Sequence, residues 1–388
     1  MSRFLIVTWD GAGNLVPTMT VAARLARAGH DVRLLGHRAI ERRCGNHGWR
    51  FRPFVRTIEI DSAAAMGGNA GMLHLARDLW CHPSVAEDVR IELAREPADV
   101  LVGDCMLLGA LTAGQAARIP TVALFHGAFA PFRHGPFVDL VSPFLAQVNA
   151  SSVAAVHDRC ALSVVAAPRE FEPPVPIPAN VRFAGPLLDG PPLLPVEGDR
   201  RLPAGMDRPV LVSLSTSDQG QTPVLRRIAD ALSRLRVAAI VTTGPAIDPA
   251  ALPRAGNVTV VRFIPHASVL PRASLVLTHA GLGTVTASLA HGVPMLCLPF
   301  GRDQFFNASR VEAIGAGRTV AAEADAGTLA SAIADLLADG NARAAARRFA
   351  EVISGMISSS APIFHAPKLS PMSQLRSIVF MPASPVVD

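Results

Sequence analysis

Residues 275–307 bring together the side chains best suited to chemistry. Leu275-Val276-Leu277-Thr278 reads as a short buried strand, His279-Ala280-Gly281-Leu282-Gly283-Thr284 as a glycine-containing turn, and the stretch to His291 as a helix. A helix N-terminus at the end of a parallel strand presents unpaired backbone N–H groups and a partial positive charge, and glycines let an anion approach the backbone. His279 and Thr284 can each add a hydrogen bond to a phosphate oxygen. Gly292-Val293-Pro294 closes the helix, and Gly301-Arg302-Asp303-Gln304 follows the next strand, where a carboxylate and an amide suit sugar hydroxyls. Taken alone, the glycines are equally compatible with a packing turn that leaves His279 on the surface.

Such turns need parallel strands to hold them. Phe4-Leu5-Ile6-Val7-Thr8 is a continuous apolar run suited to a strand buried on both faces, and Asp10-Gly11-Ala12-Gly13-Asn14 is turn chemistry. Helical spacing runs from Thr18 to Ala28, and Val32-Arg33-Leu34-Leu35 reads as the next strand, completing a βαβ unit. The rhythm returns with a strand at Asp99–Gly103, a helix to about Ala117 and a strand at Pro120–Phe125. Ten prolines fall between Pro168 and Pro203, a composition that suits neither regular helix nor central strand and reads as a linker. Beyond it, Val210–Leu214, Ala238–Val241, Val258–Val261, Leu275–Thr278 and Met295–Leu298 are predicted strands. Helices are predicted near 222–236, 284–291, 303–315, 326–338 and 341–353. The pattern predicts an α/β protein of two domains, residues 1–190 and 204–353, each a parallel sheet flanked by helices. Helical periodicity stops at Ile353, and the Ser- and Pro-rich residues 354–388 read as a poorly ordered tail.

Composition narrows the function. The chain has 388 residues, half of them apolar and 17% charged, which excludes a disordered chain or a coiled coil. Net charge is +5, but the arginines are scattered and Tyr is absent, so no nucleic-acid partner is expected. Five cysteines without a C-x-x-C, and 12 histidines without an H-E-x-x-H, argue against a disulfide scaffold and a zinc site. No apolar run is long enough to span a bilayer. A cytoplasmic protein without a transmembrane span is expected, with peripheral membrane contact left open.

The string T-H-A-G-L-G-T, then G-V-P, then P-F-G-R-D-Q-F-F-N-A resembles the donor signature of nucleotide-sugar glycosyltransferases with two facing Rossmann-like domains, the GT-B fold. Resemblance is greatest to bacterial family 1 members, UDP-glycosyltransferase-like enzymes that decorate natural products, lipids or flavonoids. Phe263-Ile264-Pro265-His266 matches the aromatic-x-P-(Q/H) element of that family. The likeness covers residues 3–353 and is strongest over 260–320. It implies that Phe263 and Ile264 hold the nucleotide base, while His279, Gly281, Gly283 and Thr284 hold the diphosphate. Asp303 and Gln304 would hold the donor sugar, and Ser215 and Thr216, in a small-residue loop, would lie near the phosphates. Neither metal nor cofactor is implied, the nucleotide-diphospho-sugar being a substrate. Where many relatives place a ribose-binding Glu, this chain has Ala287, and uracil or thymine stays open as the base.

The resemblance also marks a gap. Relatives carry G-H-x-x-P in the first turn, with the His as catalytic base; here the residues are Gly13-Asn14-Leu15-Val16-Pro17. Asp104 matches the carboxylate that orients that His. Inverting transfer needs a base at the acceptor hydroxyl. Asp10 or Asp104 could serve directly, His126, on the same sheet edge, could reach the cleft, or an acidic phenol could need little help. Acceptor contacts are expected from 56–80 and 129–144, where Phe129, Phe132, Phe137, Phe144, Met66, Met72 and Leu73 suggest an apolar cleft. The expected activity is metal-independent, inverting transfer of a hexose from a UDP- or dTDP-sugar to a hydroxyl of a lipophilic small molecule or lipid. The alternatives are a catalytically silent nucleotide-sugar-binding homologue or auxiliary partner, and a nucleotide-sugar epimerase, which the H-x-G-x-G-T string disfavours.

Overall fold

The computed structural model describes residues 1–11, 13–60, 69–187, 206–214, 220–235 and 237–359. The chain splits into two compact units, Met1–Leu193 with Met356–Asp388, and Leu194–Gly355. Each described unit is a parallel sheet with helices packed on it.

The first sheet comprises β1 (Arg3–Val7), β2 (Asp31–Gly36), β3 (Arg50–Pro53), β4 (Val100–Asp104), β5 (Thr121–Phe125), β6 (Leu162–Val165) and β7 (Val181–Phe183), in the order β3-β2-β1-β4-β5-β6-β7. Every pairing is parallel. Alternation along the strands sends Phe4, Ile6, Val32, Leu34, Val100 and Val102 into one core layer. The helix Leu15–Arg27 packs there through Leu15, Met19, Ala22 and Leu25, a stripe at helical spacing. Arg33 interrupts the apolar run of β2 yet is buried, its guanidinium Nε 2.9 Å from Glu92 Oε1 and Nη1 3.1 Å from Glu96 Oε1.

The second sheet comprises β8 (Val210–Ser213), β9 (Ala239–Thr242), β10 (Val258–Val261), β11 (Leu275–Thr278), β12 (Met295–Cys297) and β13 (Gly317–Thr319), in the order β10-β9-β8-β11-β12-β13. These pairings are also all parallel. Helices Thr222–Leu235 and Ala326–Ala338 cover one face, burying Leu225, Ile228, Leu232, Leu329, Ile333 and Leu336 against it. Each such side chain, taken fully out of water, contributes roughly 1.5–3 kcal/mol.

In both sheets the strand order reverses beside the first strand of the unit, between β1 and β4 and between β8 and β11. Ligands of open α/β sheets bind outside the carboxyl ends of the strands at such points. Asn14 and Asp104 follow one reversal point; Ser213 and His279 follow the other.

Three expectations change. The described part of the proline-rich segment is not a free linker. Phe171 is buried, Glu172 accepts hydrogen bonds from the N–H groups of Phe129 (2.5 Å) and Ala130 (3.1 Å), and β7 adds the edge strand of the first sheet. Proline excludes central strands but tolerates edges and the extended loops leading to them. The last helix, Gly340–Ser359, continues six residues past the predicted end at Ile353. Finally, β3, β6, β7 and β13 were absent from the sequence pattern. The predicted tail lies outside the described residues from 360 onward.

Candidate active site

At the reversal point of the first sheet, Asn14 precedes the helix Leu15–Arg27 and is almost wholly buried. Its amide nitrogen donates to Asp104 Oδ2 (3.0 Å) and to the Trp9 carbonyl (3.0 Å), and its oxygen accepts from Gly11 N–H (3.1 Å). Gly11 is required by close approach, since a Cβ there would lie 2.7 Å from the Trp9 ring and 2.9 Å from the Asn14 oxygen. Asp104 ends β4, with Oδ1 accepting from Met106 N–H at 2.9 Å. The ring of His126, the residue after β5, stands with Nδ1 3.1 Å from Asp104 Oδ2 and packs edge-on against Phe132. Burial alone would raise the Asp104 pKa. The His126 ring and the hydrogen bonds from His126, Met106 and Asn14 outweigh it and hold the carboxyl below its ordinary value. Asp10 instead faces Arg43, at 3.7 Å.

Asp104, Cys105 and His126 offer three ligand atoms within 4.8 Å of one another, the one such group among the described residues. Both carboxylate oxygens already accept hydrogen bonds, and burial pushes the Cys105 thiol well above its usual value, so it keeps its proton. The donor set fits a carboxylate–imidazole pair better than a metal ion.

At the second reversal point, β11 leads through His279-Ala280-Gly281 into the helix Leu282–Ala290, with Gly281 as its N-cap. The first-turn N–H groups of a helix have no partner within it. The His279 imidazole folds over this end: a Cβ on Gly281 would lie 2.6 Å from His279 Nε2. Burial, and then the charge of Arg302, push the His279 pKa down to about 4, so the ring is neutral at pH 7. Ala280 adopts φ +63°, in the left-handed region. Its carbonyl accepts from the buried Asn307 amide at 2.9 Å, and the same nitrogen donates to Asp303 Oδ2 at 2.9 Å. One amide therefore ties the turn to the carboxylate. Gly283 is exposed with open space beside it, Thr284 is half-buried, and Gln304 is buried with its oxygen accepting from Phe300 and Gly301 N–H. Phe263 is half-buried and Ile264 buried after β10, while His266 Nε2 lies 3.0 Å from the hydroxyl of Ser213, the end of β8.

The profile for the erythromycin biosynthesis protein CIII-like C-terminal domain matches residues 226–371. The chain is 27% identical over 369 residues to 4'-demethylrebeccamycin synthase of Lentzea aerocolonigenes, covering 81% of this chain and 87% of that one. It is 32% identical over 183 residues to a PGL/p-HBAD biosynthesis glycosyltransferase of Mycobacterium tuberculosis, covering 47% of this chain and 42% of that one. In fold it matches spinosyn rhamnosyltransferase SpnG, solved with thymidine diphosphate (TM-score 0.67) and with spinosyn aglycone (0.68). In both cases identity is 22%, with 91% of this chain and 96% of that one covered. The chain is a glycosyltransferase, similar in sequence and in fold to enzymes of natural-product biosynthesis.

In this glycosyltransferase Asn14, Asp104 and His126 come together, as do His279, Gly281 and Asp303; Asp10 stands apart with Arg43. Ser215 and Thr216 lie outside the described residues, as does Met66. The expected apolar acceptor cleft is corrected in part. Phe129 is a core residue at 1% exposure, and Phe132 and Phe137 are buried in an aromatic chain linking His126 to Trp80 and Trp9. Leu73 is exposed, and Phe144 and Met72 are half-buried. Sequence reasoning missed Asn307, Trp9 and Trp80. The P-F-G-R-D-Q-F-F-N string contains Asn307, but nothing in its spacing signals two bonds from one amide.

Proposed function

We propose that this glycosyltransferase moves a hexose from a thymidine or uridine diphosphate sugar to a hydroxyl of a lipophilic small molecule or lipid, inverting the anomeric carbon and using no metal ion. The observation that carries this reading is the pair of hydrogen bonds donated by the Asn307 amide. It links a helix-N-terminal anion turn to a carboxylate, the pairing that a diphosphate joined to a sugar requires.

The second unit takes the donor. First-turn N–H groups of the helix Leu282–Ala290, the Thr284 hydroxyl and the neutral His279 ring receive the diphosphate. Gly283 leaves room for it, Gly281 makes room for the His279 ring beside it, and Phe263 and Ile264 pack on the base. Asp303 accepts from the sugar hydroxyls, and Gln304 shapes the loop that presents it. Helix dipole and oriented N–H donors offset the diphosphate charge, the work a divalent ion would otherwise do. Thymidine is supported by the nucleotide held by the SpnG structure, and a lipophilic acceptor by the aglycone in that protein. In the transfer, the acceptor oxygen bonds to the anomeric carbon from the face opposite the diphosphate. The carbon–oxygen bond to phosphate breaks with its electron pair leaving on the diphosphate, and the hydroxyl proton passes to a general base.

The test is titration calorimetry of dTDP and UDP, with His279→Ala as control, followed by dTDP-glucose with a panel of phenols and NMR of the product anomer in EDTA. Micromolar binding of one nucleotide, lost in the variant, and an inverted product in EDTA are expected. Failure of both nucleotides to bind refutes the donor assignment. Donor binding with no product from any acceptor points to a silent homologue.

A further inference from the structure

Position 14 cannot supply the base. An asparagine amide takes no proton near neutrality, and Asn14 is 1% exposed with oxygen and nitrogen both engaged. Asp104 is also unsuited to act directly. It is 3% exposed, both oxygens accept hydrogen bonds, and its pKa is held below the ordinary value, which makes it a poorer base. Asp10 is paired with Arg43. The other histidine packed under this edge, His157, is 1% exposed, with Nε2 2.9 Å from the Cys105 carbonyl.

His126 is an imidazole that reaches the surface of this edge with a carboxylate behind it. It stands at the carboxyl end of β5, whose neighbour β4 ends in Asp104, with Leu124 and Asp104 directly in register. Its side chain keeps 16% of its surface exposed, while the carboxylate beneath it is 1% exposed. Phe132 holds one side of the ring at a centroid distance of 5.2 Å. With a proton on Nδ1 facing Asp104, the other ring nitrogen, Nε2, carries the lone pair a general base needs.

We propose that His126 is the general base of the transfer, with Asp104 orienting it and Asn14 holding Asp104. The inference rests on the transferase reading above and deepens it. The base has moved from the first turn to the next strand but one, while its carboxylate stayed in place. Nε2 takes the acceptor hydroxyl proton as the new carbon–oxygen bond forms, and the diphosphate departs with the electron pair of the broken bond. Asn14 donates to the same Oδ2 that faces His126, filling the space where a first-turn His would stand and keeping the carboxylate ionised.

The experiment uses the full chain with dTDP-glucose and two phenols of different acidity, 4-nitrophenol and 4-methoxyphenol. His126→Gln keeps a donor for Asp104. It is expected to bind dTDP-glucose within about twofold of the wild type and to lose roughly 10²–10⁴-fold in kcat. The loss is expected to be smaller with 4-nitrophenol, whose hydroxyl needs less help, a split that mere structural damage does not produce. Asn14→His added to His126→Gln rebuilds a His beside Asp104 and is expected to recover at least tenfold. Asp104→Asn is expected to lower kcat with little change in KM. Wild-type kcat in His126→Gln, or an equal loss with both phenols, overturns the assignment while the transferase reading stands. A wild-type protein that binds donor but yields no product with either phenol brings down both.

Discussion

Replacing Asn307 with alanine tests whether one amide couples the two halves of the donor site. Its nitrogen makes two bonds of 2.9 Å, one to the carbonyl of Ala280 and one to the Asp303 carboxylate. A neutral hydrogen bond is worth about 0.5–1.5 kcal/mol net and one to a charged group about 1.5–3, so their loss removes roughly 2–4.5 kcal/mol. Ala280 is also held at φ +63°, a conformation that costs an L-residue about 1–2 kcal/mol and relaxes when its anchor goes. At about 2–4 °C per kcal/mol for a domain of this size, Asn307→Ala should lower the melting temperature by roughly 5–15 °C. Calorimetry with dTDP and with dTDP-glucose then separates the two bonds. Loss of the Ala280 anchor is expected to weaken dTDP itself by about tenfold, equivalent to about 1.4 kcal/mol. Loss of the Asp303 anchor is expected to abolish whatever affinity the sugar adds. Asp303→Asn, as control, should lose the sugar increment and keep dTDP affinity. An Asn307→Ala protein that melts with the wild type and shows the same ratio of dTDP to dTDP-glucose affinity refutes the coupling.

At Gly281 the backbone (φ −62°, ψ 133°) suits any residue, so the cost of Gly281→Ala in urea unfolding, about 1–3 kcal/mol, comes from the contact of its Cβ with the His279 ring. The new Cβ must push the His279 ring aside, so dTDP affinity should fall at least fivefold; unchanged affinity would remove His279 from the donor site. Removing the Glu92 carboxylate (Glu92→Ala) leaves the buried Arg33 guanidinium short of a partner and should cost about 3–5 kcal/mol in chemical denaturation. The double variant Arg33→Leu/Glu92→Leu should regain most of that loss, and a double variant no better than the single would contradict the cause. Burial pushes the pKa of His157 down to about 4, so the unfolded chain takes up its proton first as pH falls. The stabilisation is complete above about pH 6.5 and is lost between there and about 4, by at most about 1.4 kcal/mol per pH unit. Urea midpoints at pH 7.5 and 5 should therefore converge in His157→Phe relative to the wild type; an identical drop would exclude His157 as a source.

The parts of the fold legible in the sequence were those where burial on both faces leaves a continuous apolar run. Phe4–Val7, Val100–Val102, Val210–Ser213 and Leu275–Thr278 are strands of this kind, and each lies within a residue or two of its predicted place. The strands that escaped notice were mostly edge strands. Arg50–Pro53, Val181–Phe183 and Gly317–Thr319 are each paired on one side only and carry charge or proline that a central strand would not accept. The proline-rich segment was misread for the same reason. Density of proline says what a segment cannot be, and an edge strand after a short 3₁₀ turn remains allowed.

The candidate site divides along a similar line. Residues whose roles follow from local chain geometry, such as His279 and Gly281 between a strand and a helix, could be placed from their neighbours in sequence. The pairing of Asp104 with His126 could be proposed only as a shared sheet edge, because a contact across 22 positions depends on β4 and β5 being adjacent and in register. Asn307 was beyond reach altogether. Its role rests on the left-handed backbone of Ala280, and alanine carries no signal for that conformation. A glycine at 280 would have announced the turn and needed no anchor. With alanine there, the strain has to be held by a neighbour, and the amide that holds it is the one that also fixes the sugar-facing carboxylate. Ala280→Gly should therefore soften the consequence of Asn307→Ala for dTDP binding while leaving the loss of the sugar increment untouched. Equal rescue of both would mean that the two bonds act as a single structural brace.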